Sequence, residues 1–69
     1  MLVDYRNREL KVGERVRIEV DIPSENGMLY RDQIVKLDEW NDTTKKIRVT
    51  DSLGKVWWVE PSQVSASFL

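Results

Sequence analysis

The sequence predicts an all-β fold, a small barrel of about five short antiparallel strands. Three observations carry that expectation. Val16, Ile18, Val20 and Ile22 alternate with Arg15, Arg17, Glu19 and Asp21, the period-two pattern of a half-buried strand. The later apolar stretches are equally short and are separated by glycine, proline and clusters of Asp, Asn and Ser. No window places apolar residues at three- and four-residue spacing behind a capping residue, so no helix is expected. Closing such strands into a barrel removes the edges that a short open sheet would leave.

Residues 1–11 mix charged and apolar groups, and Leu2, Val3, Tyr5 and Leu10 are read as packing a short arm across the end of the barrel. Val12-Gly13-Glu14 is a turn into the alternating strand, whose inward positions are all β-branched. Pro23, with no amide to donate, is expected to end that strand. Ser24-Glu25-Asn26-Gly27 reads as a loop with Asn-Gly supplying positive φ, and Met28-Leu29-Tyr30 as an apolar knot folding back as a lid, with an exposed binding surface as the alternative. A second strand covers Gln33–Leu37, with a bulge expected where Ile34 and Val35 break the alternation. Residues 38–44 read as a loop or frayed hairpin around Trp40. The third strand, 45–50, turns Ile47 and Val49 inward and Lys46, Arg48 and Thr50 outward. Asp51-Ser52-Leu53-Gly54 is a hairpin turn. The fourth strand, Lys55–Glu60, runs into a turn at Pro61, and Val64, Phe68 and Leu69 are assigned to closing the far end. The ending 65–69 is also readable as a recognised tail.

Composition narrows the classes of function. Sixty-nine residues with no cysteine and no histidine make one domain without disulfides or a Cys/His zinc site. The usual bases, nucleophiles and metal ligands are therefore missing, and no glycine-rich phosphate motif replaces them, so neither an enzyme, a cofactor nor a small-molecule substrate is expected. Asp38, Glu39 and Asp42 lack the ordered spacing of a calcium loop. Eleven basic residues against twelve acidic ones give a net charge of −1, not the field of a dedicated nucleic-acid binder. There is no apolar run of membrane-spanning length, and with charge at Asp4 and Arg6 before any apolar run no signal peptide is expected. A soluble cytoplasmic protein is the plain expectation. Starting at Met1 and barely exceeding the barrel, the chain reads as a complete small protein.

Leu10-Lys11-Val12-Gly13-Glu14-Arg15-Val16-Arg17-Ile18 resembles the strand opening of SH3 and SH3-like barrels. Val59-Glu60-Pro61-Ser62-Gln63-Val64 is similar to the close of the same fold, and the resemblance spans roughly residues 10–65. It implies a single SH3-like domain with an arm at 1–10, a barrel at 11–65 and a tail at 66–69. It also implies a 3₁₀ turn near Pro61 and a role as a peptide-binding module, an RNA-associated domain or an accessory subunit. The alanine-leucine-tyrosine-aspartate-tyrosine box and the groove tyrosine of proline-peptide binders are absent here. The bacterial and phage style of barrel is the closer match, and of the ligand-contacting positions only Pro61 carries over.

Two sets of residues are candidates for binding. Trp57 and Trp58 are adjacent in a strand and point to opposite faces. If Val59 faces the core, Trp57 is buried with it and Trp58 lies outside beside Val56. An outward tryptophan is a typical interface anchor, and Trp58, Trp40 and Tyr30, if they share a face, with Pro61 nearby, form the expected site for a protein partner. The rival set is Arg15, Arg17, Lys45, Lys46 and Arg48, a basic stripe beside an aromatic that would suit RNA or single-stranded nucleic acid. The bland account of those residues is a solvated strand face paired with acids across the sheet.

Overall fold

The computed structural model describes residues 2–25 and 27–66 and is all-β. Strands β1 (Arg15–Ile18), β4 (Ile34–Asn41), β5 (Lys46–Thr50), β6 (Val56–Val59) and β7 (Val64–Ser65) form one antiparallel sheet, while β2 (Ile22–Ser24) and β3 (Gly27–Leu29) form a separate hairpin. The sheet order is β6-β5-β4-β1-β7, and a 3₁₀ turn at Pro61–Gln63 joins its two edge strands. Sheet and hairpin enclose one core, in which Ile18, Leu29, Leu37, Ile47, Val49 and Val64 are fully buried.

The alternating strand is shorter than its pattern suggests. Val16 and Ile18 are buried as expected, but the ladder stops at Ile18. Its amide donates to Gln33 O at 2.8 Å, and the next amide, Glu19 N, donates to Gln63 O at 2.9 Å. The chain then leaves the sheet, so Val20 is 45% exposed rather than inward, and the pattern resumes inward only at Ile22 on the hairpin. Pro23 does not end a strand. It sits within β2 opposite Met28, where a two-stranded ribbon makes no demand on its missing amide. Most of the stretch read as loop and apolar knot, 24–30, is therefore hairpin. Of the apolar knot only Leu29 is inward, with Met28 and Tyr30 exposed. Asn26, the first half of the expected Asn-Gly turn, lies outside the described residues.

β4 is longer than predicted, and its irregularity lies elsewhere. Ile34 is exposed and Val35 buried by simple alternation, so no bulge is needed there. The register instead shifts between Leu37 and Glu39. Leu37 opposes Val49 on the inner side; Asp38 is the extra residue; Trp40 then opposes Ile47. A bulge reverses the phase of everything beyond it. It turns Trp40 inward, where it packs partly buried against the core, and makes strand of a stretch that reads as loop. The connection to β5 closes on the Asn41 side chain, whose Oδ1 accepts from the Thr43 and Thr44 amides at 2.9 and 3.1 Å.

The turn between β5 and β6 matches expectation. Gly54 has φ of 83° in the turn between β5 and β6, which a glycine adopts without strain. Asp51 organises that turn, accepting the Leu53 and Lys55 amides at 2.9 Å each and the Trp57 indole N–H at 3.1 Å. The arm packs in part: Leu10 joins the core and Leu2 lies against it, whereas Val3 is only half-buried and Tyr5 is exposed. Asp4, 4% exposed, fastens the arm. Its Oδ1 accepts from Arg6 N and Arg8 N at 2.9 Å each, and its Oδ2 accepts from Ala66 N at 2.8 Å, beyond β7. Phe68 and Leu69, with Met1 and Ser67, lie outside the described residues.

Candidate functional site

β6 separates the tandem tryptophans by simple pleating. Trp57 is 7% exposed and Val59 is buried, while Val56 and Trp58 lie on the outer face, Trp58 44% exposed. Trp57 is held on two sides, its N–H donating to Asp51 and Lys55 Nζ standing 4.4 Å from its ring centroid, and Gly27 approaches so closely that a Cβ there would lie 4.0 Å from its Cη2. The hairpin β2–β3 thus closes over Trp57, and Trp58 faces away from it.

Cross-strand register defines what surrounds Trp58. Directly opposed residues share a face, so Trp58 stands beside Arg48 and, one strand further, Glu39. The next outer row reads Val56, Thr50, Lys36 and Arg15 across β6, β5, β4 and β1. Exposed Ile34 also lies on this side. Two recesses open on it. One of about 350 Å³ is lined by Asn41, Thr44, Lys46 and Trp58. The other, about 610 Å³, runs over Ile34 and Lys36 between Arg15 and the Thr50–Ser52 segment.

Charge on this face is uneven. The Thr50 hydroxyl donates to Asp38 Oδ2. Arg48 is only loosely held, its Nε 4.0 Å from Asp38 Oδ2 and its Nη1 3.7 Å from Glu39 Oε1, and the buried Nε has no hydrogen-bond partner among the described residues. Arg15 and Lys36 oppose each other directly, and among the described residues neither has an acidic partner. Like charges placed so are unfavourable in a sheet.

The predicted sets are partly dispersed. The bulge puts Trp40 on the core side, opposite Ile47, while Trp58 points outward. Tyr30 follows the separate hairpin and is exposed there, its amide donating to Gln33 Oε1 at 2.7 Å. Pro61 is half-buried at the start of the 3₁₀ turn. Trp58, Trp40 and Tyr30 therefore form no single aromatic patch. Of the basic set, Arg17 is taken by Glu19 at 2.7 Å, and Lys45 by Asp42 at 2.9 Å within the β4–β5 turn. The Arg17 guanidinium holds the Glu19 carboxyl below the usual carboxylate range. Arg15, Lys46 and Arg48 do share the outer face, together with Lys36, Val56 and Ile34, which sequence reading did not select. Lys36 was findable as an outward position of β4. The row it forms with Arg15 depends on register, which one sequence does not give.

Among the described residues no group of three or more acidic side chains is placed to hold a metal ion, and no helix is long and apolar enough to cross a membrane. The acidic loop of the sequence reading is distributed: Asp38 and Glu39 face Arg48 while Asp42 pairs with Lys45. Comparison with protein-family models, with curated proteins and with solved structures finds no match.

Proposed function

We propose that this chain is an SH3-like barrel acting as a small non-enzymatic interaction module or accessory subunit, with Trp58 as the apolar anchor for a protein partner. The barrel reading is supported by β1, which pairs with β4 on one side and β7 on the other, and by the 3₁₀ turn between β6 and β7. The observation that carries the functional reading is Trp58 itself. It is 44% exposed on a strand whose inward neighbours are buried, and a rigid aromatic side chain loses little conformational entropy when a partner covers it. Exposed Val56 and Ile34 extend the apolar surface on the same side.

RNA or single-stranded nucleic acid is the competing ligand. Against it stand Asp38 and Glu39 on the same face, and the commitment of Arg17 and Lys45 to acids. Capture with immobilised protein from a bacterial lysate, with and without nuclease treatment, at low and high salt and with Trp58→Ala in parallel, tests the reading. A discrete protein retained in high salt by wild type and lost with Trp58→Ala is the expected result. Recovery only of nucleic acid, released by salt, contradicts it.

A further inference from the structure

The outer row Val56–Thr50–Lys36–Arg15 carries two features that the fold does not use. At one end, Val56 and its neighbour Trp58 leave apolar surface in water. At the other, Arg15 and Lys36 are held side by side and neither forms an ion pair among the described residues, Asp51 across the recess being engaged by the Leu53 and Lys55 amides and the Trp57 indole. Folding gains nothing from such a like-charged pair, and an anion laid between them would remove the repulsion. The row spans three strand spacings, about 14 Å, a reach that several residues of an extended chain cover. The recess of about 610 Å³ lies over its basic half.

From this juxtaposition we infer that the partner presents an acidic segment of protein, its carboxylates meeting Arg15 and Lys36 while an adjacent apolar side chain packs on Val56 and Trp58. This rests on the reading of Trp58 as an interface anchor and adds the partner's chemistry. A polypeptide suits the face better than a phosphate backbone for two reasons. Asp38, which accepts from Thr50 within the row, and Glu39, at the end of Trp58's row, put negative charge on this face and would repel a continuous run of phosphates, whereas a peptide can place its acids at one end. The face also offers aliphatic contact at Val56 and Ile34, which bases do not need.

The probe is a phage-displayed library of random peptides panned against the full chain, with the best binders synthesised and titrated by fluorescence anisotropy. Enriched peptides are expected to carry at least two Asp or Glu residues beside an aromatic or aliphatic one. Their binding should fall roughly tenfold or more in the Arg15→Ala, Lys36→Ala double variant and be lost in Trp58→Ala, with thermal unfolding of both variants close to wild type. Enriched peptides that need Trp58 but ignore Arg15 and Lys36 overturn the acidic partner while leaving the interaction module standing. Absence of any peptide dependent on Trp58 overturns both. A labelled oligouridylate that binds more tightly than the peptides, through Arg15 and Lys36, also overturns the inference and assigns the face to nucleic acid.

Discussion

Replacing Asp4 by alanine should loosen both ends of the chain at once. The carboxylate is nearly inaccessible and accepts three backbone amides, from Arg6, Arg8 and Ala66. Two of these hold the turn of the arm and the third ties the arm to the residue after β7, 62 positions away in sequence. Alanine removes every acceptor and leaves three donors to find water in a partly closed site. At roughly 1 kcal/mol or slightly more for each, the loss is about 2–4 kcal/mol. A domain of this size has a total stability of only about 3–10 kcal/mol, so the effect is large. Burial opposes ionisation of Asp4, but the three amides and nearby Arg8 outweigh it and lower its pKa. The unfolded chain therefore binds more protons in the acid range. The contribution of Asp4 is fully present above the unfolded value of about 4 and is lost as pH falls through the lower folded value. Urea unfolding at pH 7 and at successive steps below pH 4 measures both effects. Asp4→Asn should also flatten the acid limb, though Glu19 and Asp51, likewise lowered, keep part of it. An Asp4→Ala variant within about 0.5 kcal/mol of wild type, inside the range of ordinary surface substitutions, would refute this account of the arm.

Three further outcomes follow from the packing. Asp51→Ala deprives the Leu53 and Lys55 amides and the Trp57 indole of their acceptor, so the variant should unfold at lower temperature with altered tryptophan emission; unchanged emission and Tm would contradict the role given to Asp51. Gly27 has φ of 129°, and an added Cβ would stand 3.5 Å from Lys55 Nζ. Gly27→Ala should therefore cost about 1 kcal/mol or more in denaturant unfolding, and a neutral result would show that the hairpin can rearrange freely. Ile18→Asp puts a charge at a position with no exposure and should abolish the cooperative transition; a folded variant would mean that β1 has another register.

Much of the strand content was readable because period two needs only local sequence. Val16, Ile18, Ile47, Val49, Trp57 and Val59 are inward as their spacing implies, and Gly54 and Pro61 mark the turns they suggest. The failures share a physical cause. Val20 fits the alternation yet lies outside, because the ladder is complete once the Ile18 and Glu19 amides have donated to the distant Gln33 and Gln63 carbonyls, and the chain then leaves the sheet. Trp40 sits in a polar stretch that looks like loop, and only the bulge at Asp38 carries it to the core side. The same limit applies to the candidate site. Trp58 was accessible from its place beside Val59, but the neighbours that give its face a character come from three other strands. Arg48, Glu39, Lys36 and Arg15 are brought there by register, which depends on long-range pairing.

The central claim is that β6 divides its tryptophans between fold and contact. Unfolding free energies of Trp57→Ala and Trp58→Ala, measured in the same denaturant at neutral pH, test it most directly. Trp57→Ala should cost about 3–5 kcal/mol, as core aromatic truncations do, whereas Trp58→Ala should stay within about 1 kcal/mol of wild type. A Trp58→Ala loss equal to or larger than that of Trp57→Ala would make Trp58 part of the scaffold and remove the anchor on which the proposed interaction face depends.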